Sequence, residues 1–123
     1  MKANPVNWFE IPVNDLDRAR KFYESVFDVE LTLLGMDPWK MYQFPMVDNT
    51  FGSAGALVKA AGYKPSHDGT IIYFSVGDIE ETLKKVTASG GKIILPKMSI
   101  QEYGFIAHFE DSEGNRVAMH SMT

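Results

Sequence analysis

The stretch Val13-Asn14-Asp15-Leu16-Asp17-Arg18-Ala19-Arg20-Lys21-Phe22-Tyr23 decides how this chain is read. Upstream of it, Trp8 to Val13 alternates: Phe9, Ile11 and Val13 form one apolar face, and Trp8, Glu10 and Pro12 form the other. A period of two over such a run is the pattern of a strand with different environments on its two faces. Asp15 then offers an N-cap. Leu16, Ala19, Phe22, Tyr23 and Val26 recur at helical spacing, so the pattern predicts a helix over about Leu16 to Phe27 with a single apolar stripe. The same punctuation returns later as Val76-Gly77-Asp78-Ile79. Before it, Ile72, Phe74 and Val76 alternate with Ile71, Tyr73 and Ser75. After it, Ile79, Leu83 and Val86 carry a second helical stripe. Asp78 with Glu81 has capping-box spacing, and Gly90-Gly91 supplies the stop.

Each strand-to-helix corner is followed by strand-like runs. In the first half these are Val29–Leu34, Trp39–Phe44 and Ala54–Val58, with turn chemistry at Met36-Asp37-Pro38 and Asp48-Asn49. In the second half they are Lys92–Leu95, Phe105–Glu110 and Arg116–His120. The last two are joined by Asp111-Ser112-Glu113-Gly114-Asn115, a hairpin turn with Gly where a positive φ is needed. Matched element order in two halves of the chain is the signature of an internal duplication. The reading is an α+β domain of two βαβββ modules: module one over about 5–59, a Gly- and Pro-containing linker over about 60–68, and module two over about 69–121.

Bulk properties narrow the function classes. The 123 residues suit a single domain. The composition, 45% hydrophobic and 23% charged, is that of a globular chain. A net charge of −4 with no basic run argues against nucleic-acid binding. There is no cysteine, which removes disulfides, thiolate catalysis and Cys-ligated metals. The N-terminal residues lack the apolar core of a signal peptide, and no apolar run approaches the roughly 18 residues of a membrane span. The expected location is the cytoplasm, with no membrane partner.

The Val13–Tyr23 stretch resembles the strand-to-helix signature Val-x-Asp-Leu-x-x-(small)-x-x-Phe-Tyr of the vicinal oxygen chelate superfamily. The run Phe109-Glu110-Asp111-Ser112-Glu113-Gly114-Asn115-Arg116-Val117 resembles that family's terminal hairpin, with Ser112 in place of the usual Pro. The superfamily includes glyoxalase I, extradiol dioxygenases, and bleomycin- and fosfomycin-resistance proteins. The resemblance implies the glyoxalase/bleomycin-resistance fold, paired modules forming a curved mixed sheet around a cavity. It also implies a divalent metal held by the first and last strands of each module. The corresponding positions here are Trp8, Gly55 or Ala56, Ile71 and Ala118, and none of these side chains can coordinate a metal. No cofactor is expected beyond a divalent metal at a displaced site.

Strand alternation names the side chains that face the cavity. These are Trp8 and Glu10 on the first strand, and Ile71, Tyr73 and Ser75 on the fifth. On the seventh they are Ile106, His108 and Glu110, and on the last Arg116, Ala118 and His120. If Glu10, His108 and His120 converge with Tyr73, a buried carboxylate beside imidazoles can exchange protons with a substrate. The bland alternative is a buried acid satisfied by hydrogen bonds, without turnover. Trp8, Tyr73, Ile71, Ala118 and Arg116 are the candidate ligand-binding residues. His67, in the linker, reads as a solvated loop residue. The charged residues of both helices read as solvated faces, with Glu81 and Lys85 at i,i+4 spacing.

The leading expectation is therefore a domain that binds a small organic molecule in its paired-module cavity, its family metal positions lost. The alternatives are a lyase-, isomerase- or dioxygenase-type enzyme with a displaced Glu10/His120 centre, and a protein that only sequesters a drug or toxin. The resemblance further implies a homodimer.

Overall fold

In the computed structural model, which describes residues 4–35 and 40–123, each strand–helix corner opens one sheet. β1 (Phe9–Pro12) leads into α1 (Leu16–Phe27), and β2 (Thr32–Leu34), β3 (Met41–Gln43) and β4 (Gly55–Val58) follow. β5 (Tyr73–Ser75), α2 (Ile79–Ala88), β6 (Lys92–Ser99), β7 (Phe105–Glu110) and β8 (Arg116–Ser121) repeat the order. The strands form two four-stranded sheets, β1-β4-β3-β2 and β5-β8-β7-β6. In each, the first strand runs parallel to the last and the remaining pairs are antiparallel. The expected turn at Met36-Asp37-Pro38, and Trp39 with it, lie outside the described residues.

Both caps form for the reason the sequence offers. Asp15 and Asp78 adopt extended backbone, and their carboxylates accept from the backbone N–H of Arg18 and Glu81. Such a cap contributes about 1 kcal/mol by satisfying an otherwise orphan donor. The side chain of Glu81 does not complete the box; it accepts from Lys84 at 3.2 Å, so the i,i+3 pair forms in place of the expected pair with Lys85. The second helix ends at Ala88, with Gly90 beyond it at φ +96°.

The sixth strand is longer than its apolar pattern suggests, running to Ser99. Pro96 breaks the alternation there, and the register shifts once between Ile93 and Leu95 and again between Leu95 and Met98. This is tolerated because β6 is an edge strand, where a missing N–H removes no ladder bond from an inner pair. A single 3-10 turn at Gln101–Tyr103, which no periodicity announced, links β6 to β7.

The helix-facing sides of the two sheets share one core, with Ile11, Val13, Phe22, Tyr23, Leu57, Ile79, Val86, Phe109 and Met119 all nearly or fully buried. Phe74 of module two packs among Phe9, Phe27 and Phe44 of module one, with the Phe27 and Phe74 rings stacked at 4.4 Å. Aromatic pairs of this geometry contribute about 1 kcal/mol each beyond the area they bury.

Polar contacts join the modules at one corner. Asp111 is buried, and its four hydrogen bonds come from the N–H groups of Glu113 and Asn115, the Tyr23 hydroxyl at 2.7 Å and the Asn115 amide. The Asn115 amide also donates to the Pro12 carbonyl at 2.8 Å. Glu113 accepts from the backbone N–H of Asn14 and of Asp15, and pairs with Arg18 at 2.7 Å. Arg18 is therefore part of the joint between modules and not merely a solvated helix charge.

Burial by itself would raise the Glu113 carboxyl; the bonds from Arg18, Asp15, Ser112 and Asn14 outweigh it and hold the group below its ordinary value of 4.5. Because the folded value is the lower one, this stabilisation is complete above the unfolded carboxylate range and is lost as pH falls through the folded value. Glu113→Gln is expected to cost about 2 kcal/mol at pH 7, the scale of hydrogen bonds to a charged group. The difference from wild type should shrink below about pH 4.5. Urea unfolding across pH 3–7 measures it, and a pH-independent difference would rule out the charge as its source.

Candidate functional site

The faces of the sheets turned away from the helices carry the candidate polar side chains. In the second sheet, the register places Tyr73 beside Ala118 and Ala118 beside His108. It likewise places Ser75 beside His120 and His120 beside Ile106. Ala107 and Phe109, the opposite set on β7, are fully buried in the core, so Ile106, His108 and Glu110 share the outer face with Tyr73. Ala118 lies between Tyr73 and His108 and has only a methyl group. Across it the Tyr73 hydroxyl meets His108 Nε2 at 3.0 Å, with the two rings edge to face at 5.5 Å.

His108 is buried, and Arg116 Nε donates to its Nδ1 at 2.9 Å. Burial, reinforced by the Arg116 charge, lowers its pKa below the ordinary value of 6.5 and keeps the ring neutral at physiological pH. Beyond Arg116, Glu110 pairs with His67 Nε2 at 2.9 Å. The linker histidine, expected to be solvated, is thus tied to the seventh strand.

Next to this group is a cleft of about 490 Å³ lined by Tyr73, Ser75, Ile100, Ile106 and His120. Ile100, just ahead of the unforeseen 3-10 turn, forms part of its wall. His120 Nε2 donates to the Tyr103 carbonyl at 2.6 Å. Gly104 then turns at φ +102°, where a Cβ would lie 2.4 Å from the Ser121 carbonyl oxygen. Only glycine allows that connection to lie so close on β8. A larger groove of about 830 Å³ separates the N-terminal segment from the β3–β4 connection, but among the described residues no titratable side chain lines it.

Glu10 belongs to a different neighbourhood. It is exposed, not buried, and accepts from Trp8 Nε1 at 3.3 Å and from the Tyr63 hydroxyl at 2.7 Å. That bond is the main reason the Tyr63 hydroxyl is raised above its ordinary value. Among the described residues no hydrogen bond joins Glu10 to His108 or His120. The buried acid–imidazole cluster is therefore replaced by two separate groups, Trp8–Glu10–Tyr63 and Tyr73–His108–Arg116. Tyr63 is the residue that periodicity missed, because it comes from a linker with no period.

The family's metal positions can be tested on their donor chemistry. Gly55 pairs with Phe9, and a Cβ there would lie 2.5 Å from the Phe9 ring, so the outer-face position of β4 is Ala56, beside Glu10. Trp8 and Ile71 sit just ahead of β1 and β5, and Ala118 pairs with Tyr73. An indole, two methyl groups and a butyl side chain supply no oxygen or imidazole donor, so these residues do not fit a divalent ion. Among the described residues, no group of three or more His, Asp or Glu side chains is arranged to hold one elsewhere. No helix among them is long and apolar enough to cross a membrane.

Comparison with known proteins places this geometry in a family. The profile of the Glyoxalase/Bleomycin resistance protein/Dioxygenase superfamily matches residues 6–119. A "Glyoxylase-like domain-containing protein" of Didymella fabae is 30% identical, over 93% of this chain and 91% of the relative. The "Anthracycline biosynthesis protein DnrV" of Streptomyces peucetius is 26% identical over 91% of this chain, which spans only 45% of that relative. Among solved structures, a "glyoxylase/bleomycin resistance protein/dioxygenase domain" from Frankia sp. EAN1pec superposes with a TM-score of 0.74 at 17% identity, covering 98% of both chains. That last likeness speaks for the fold alone, whereas the profile and the Didymella relative carry the assignment. The chain belongs to the glyoxalase/bleomycin resistance protein/dioxygenase superfamily.

Proposed function

We propose that this chain binds a small organic molecule, largely apolar and bearing oxygen substituents, in the cleft of its second module, without a metal at the family's positions. The observation that carries the reading is the cleft's composition. Ile100 and Ile106 are its aliphatic lining residues, and Tyr73, Ser75 and His120 are its lining residues with polar groups. Pockets of this kind hold ligands by burying an apolar body and orienting it through a few polar groups. The relatives named for anthracycline biosynthesis support an aromatic, oxygenated ligand class. The displaced Glu10/His120 centre lacks such support, since each residue is engaged with partners of its own.

Filling the cleft tests the reading. Ile106→Trp is expected to abolish binding of a hydroxylated naphthoquinone or anthraquinone probe, followed by quenching of intrinsic fluorescence, while leaving the melting temperature within a few degrees. An undiminished affinity would remove the cleft from consideration. The metal clause has its own readout. Titration of the chain with Ni²⁺ or Zn²⁺ in a calorimeter is expected to give no one-to-one isotherm, and a stoichiometric high-affinity site would contradict it.

The same reading includes pairing of two chains. Val6, Met46, Val47 and Phe51 are exposed around the groove between the N-terminal segment and the β3–β4 connection, with Phe51 88% exposed. A cluster of large apolar side chains on one surface is a candidate for burial by a second copy. Light scattering on the wild type is expected to give the mass of a dimer, and on Phe51→Asp/Val47→Asp that of a monomer; a monomeric wild type would overturn the pairing.

A further inference from the structure

The group above the cleft has a direction. Arg116 Nε can only donate, so His108 Nδ1, 2.9 Å away, must be the ring nitrogen without a proton. In the neutral ring the proton then sits on Nε2, which is the atom 3.0 Å from the Tyr73 oxygen. Nε2 donates to that oxygen, so the tyrosine's own proton is not given to His108. Among the described residues no other group accepts it. Tyr73 is half exposed and lines the cleft. Its hydroxyl is therefore a donor available to whatever occupies the cleft.

His120 has the opposite polarity. A backbone carbonyl can only accept, so the 2.6 Å contact with Tyr103 fixes the His120 proton on Nε2. In the neutral ring, Nδ1 is left as an acceptor on a residue that also lines the cleft.

We propose that Arg116, His108 and Tyr73 form a one-way hydrogen-bond relay that leaves the Tyr73 hydroxyl proton free as a donor in the cleft, with His120 as an acceptor on the same lining. The occupant is a ring compound that offers a carbonyl or oxyanion to Tyr73 and a hydroxyl to His120. This rests on the cleft being the binding site and specifies what that site selects. Tyr73 is the contact residue, and His108 and Arg116 are positioning residues acting through it. The cationic end of the relay strengthens the donor, because hydrogen bonds in a chain polarise one another in the same sense. A hydrocarbon of the same size gains nothing from this arrangement, and a ligand that offers only donors leaves Tyr73 without an acceptor.

The relay can be read without a ligand. The chain has three histidines, so ring ¹⁵N resonances of uniformly labelled protein can be assigned with His67→Gln, His108→Gln and His120→Gln. His108 is expected to be the Nε2–H tautomer at pH 7, and Arg116→Met is expected to release it from that tautomer. An Nδ1–H tautomer or a tautomeric mixture in the wild type overturns the proposal.

Selectivity is read with two probes, naphthalene and 2-hydroxy-1,4-naphthoquinone, the latter an enolate at neutral pH that addresses the Tyr73 donor alone. Tyr73→Phe is expected to weaken the naphthoquinone by about tenfold, the scale of one net hydrogen bond, and to leave naphthalene unchanged. Arg116→Met should weaken the naphthoquinone by less and likewise spare naphthalene. If Tyr73→Phe affects both probes equally, or neither, the relay proposal fails while cleft binding stands. If Ile106→Trp affects neither probe, the cleft reading fails and the selectivity it was to explain fails with it.

Discussion

The docking of the Asp111–Asn115 turn onto the β1–α1 corner is the interaction on which the rest of the molecule depends. A buried carboxylate at Asp111 costs several kcal/mol unless its oxygens are satisfied. Here burial does raise its pKa, against the pull of its hydrogen bonds to Tyr23, Asn115 and Glu113. The group is tolerated because those bonds occupy both oxygens. They also close a tight turn and present Glu113 and Asn115 outward to module one. Tyr23, which donates to Asp111, is itself fully buried, so neither partner can be satisfied by water if the other is removed.

This joint positions the candidate site directly. β8 begins at Arg116, immediately after Asn115. Its alternate residues Arg116, Ala118 and His120 are thereby aimed at the outer face of the second sheet, while Val117 and Met119 enter the core. The Asn115 carbonyl oxygen of the side chain receives the Ser66 N–H, and the Ser66 carbonyl receives the Arg116 N–H. The end of the linker is thus held alongside the start of β8, which brings His67 within reach of Glu110. The turn runs directly into β8, the strand that carries Arg116, Ala118 and His120.

At the family's metal position on β8, and next to the one on β4, small side chains make room for larger neighbours. Gly55 makes room for the Phe9 ring, which in turn meets Phe44 and Phe74. Ala118 makes room for the Tyr73–His108 contact. A carboxylate at position 118 would stand between the tyrosine and the imidazole. The same absence of bulk that removes a metal donor from β8 therefore permits the hydrogen-bond group that lies across it.

By itself, the sequence determined what depends on neighbours along the chain. The period of two in Phe9/Ile11/Val13, the helical stripe from Ala19 to Val26, the Asp15 and Asp78 caps and the two-module order follow from local sterics and from which face must leave water. The outer-face assignment of His108 and His120 follows from the same alternation. The sequence could not determine partners. Glu113 and Asn14 are 99 positions apart, Tyr73 and His108 are 35 apart, and Glu10 and Tyr63 are 53 apart. Alternation says which face a side chain occupies, but not how the two sheets are placed or where an aperiodic linker runs. The 3-10 turn and the extension of β6 past Pro96 depend on edge position and on contacts with β8, which carry no periodic trace. Only the tertiary structure, by packing both sheets on one aromatic core and locking them at Asp111–Asn115, decided that Glu10 pairs with the linker while Tyr73, His108 and Arg116 form the group beside the cleft.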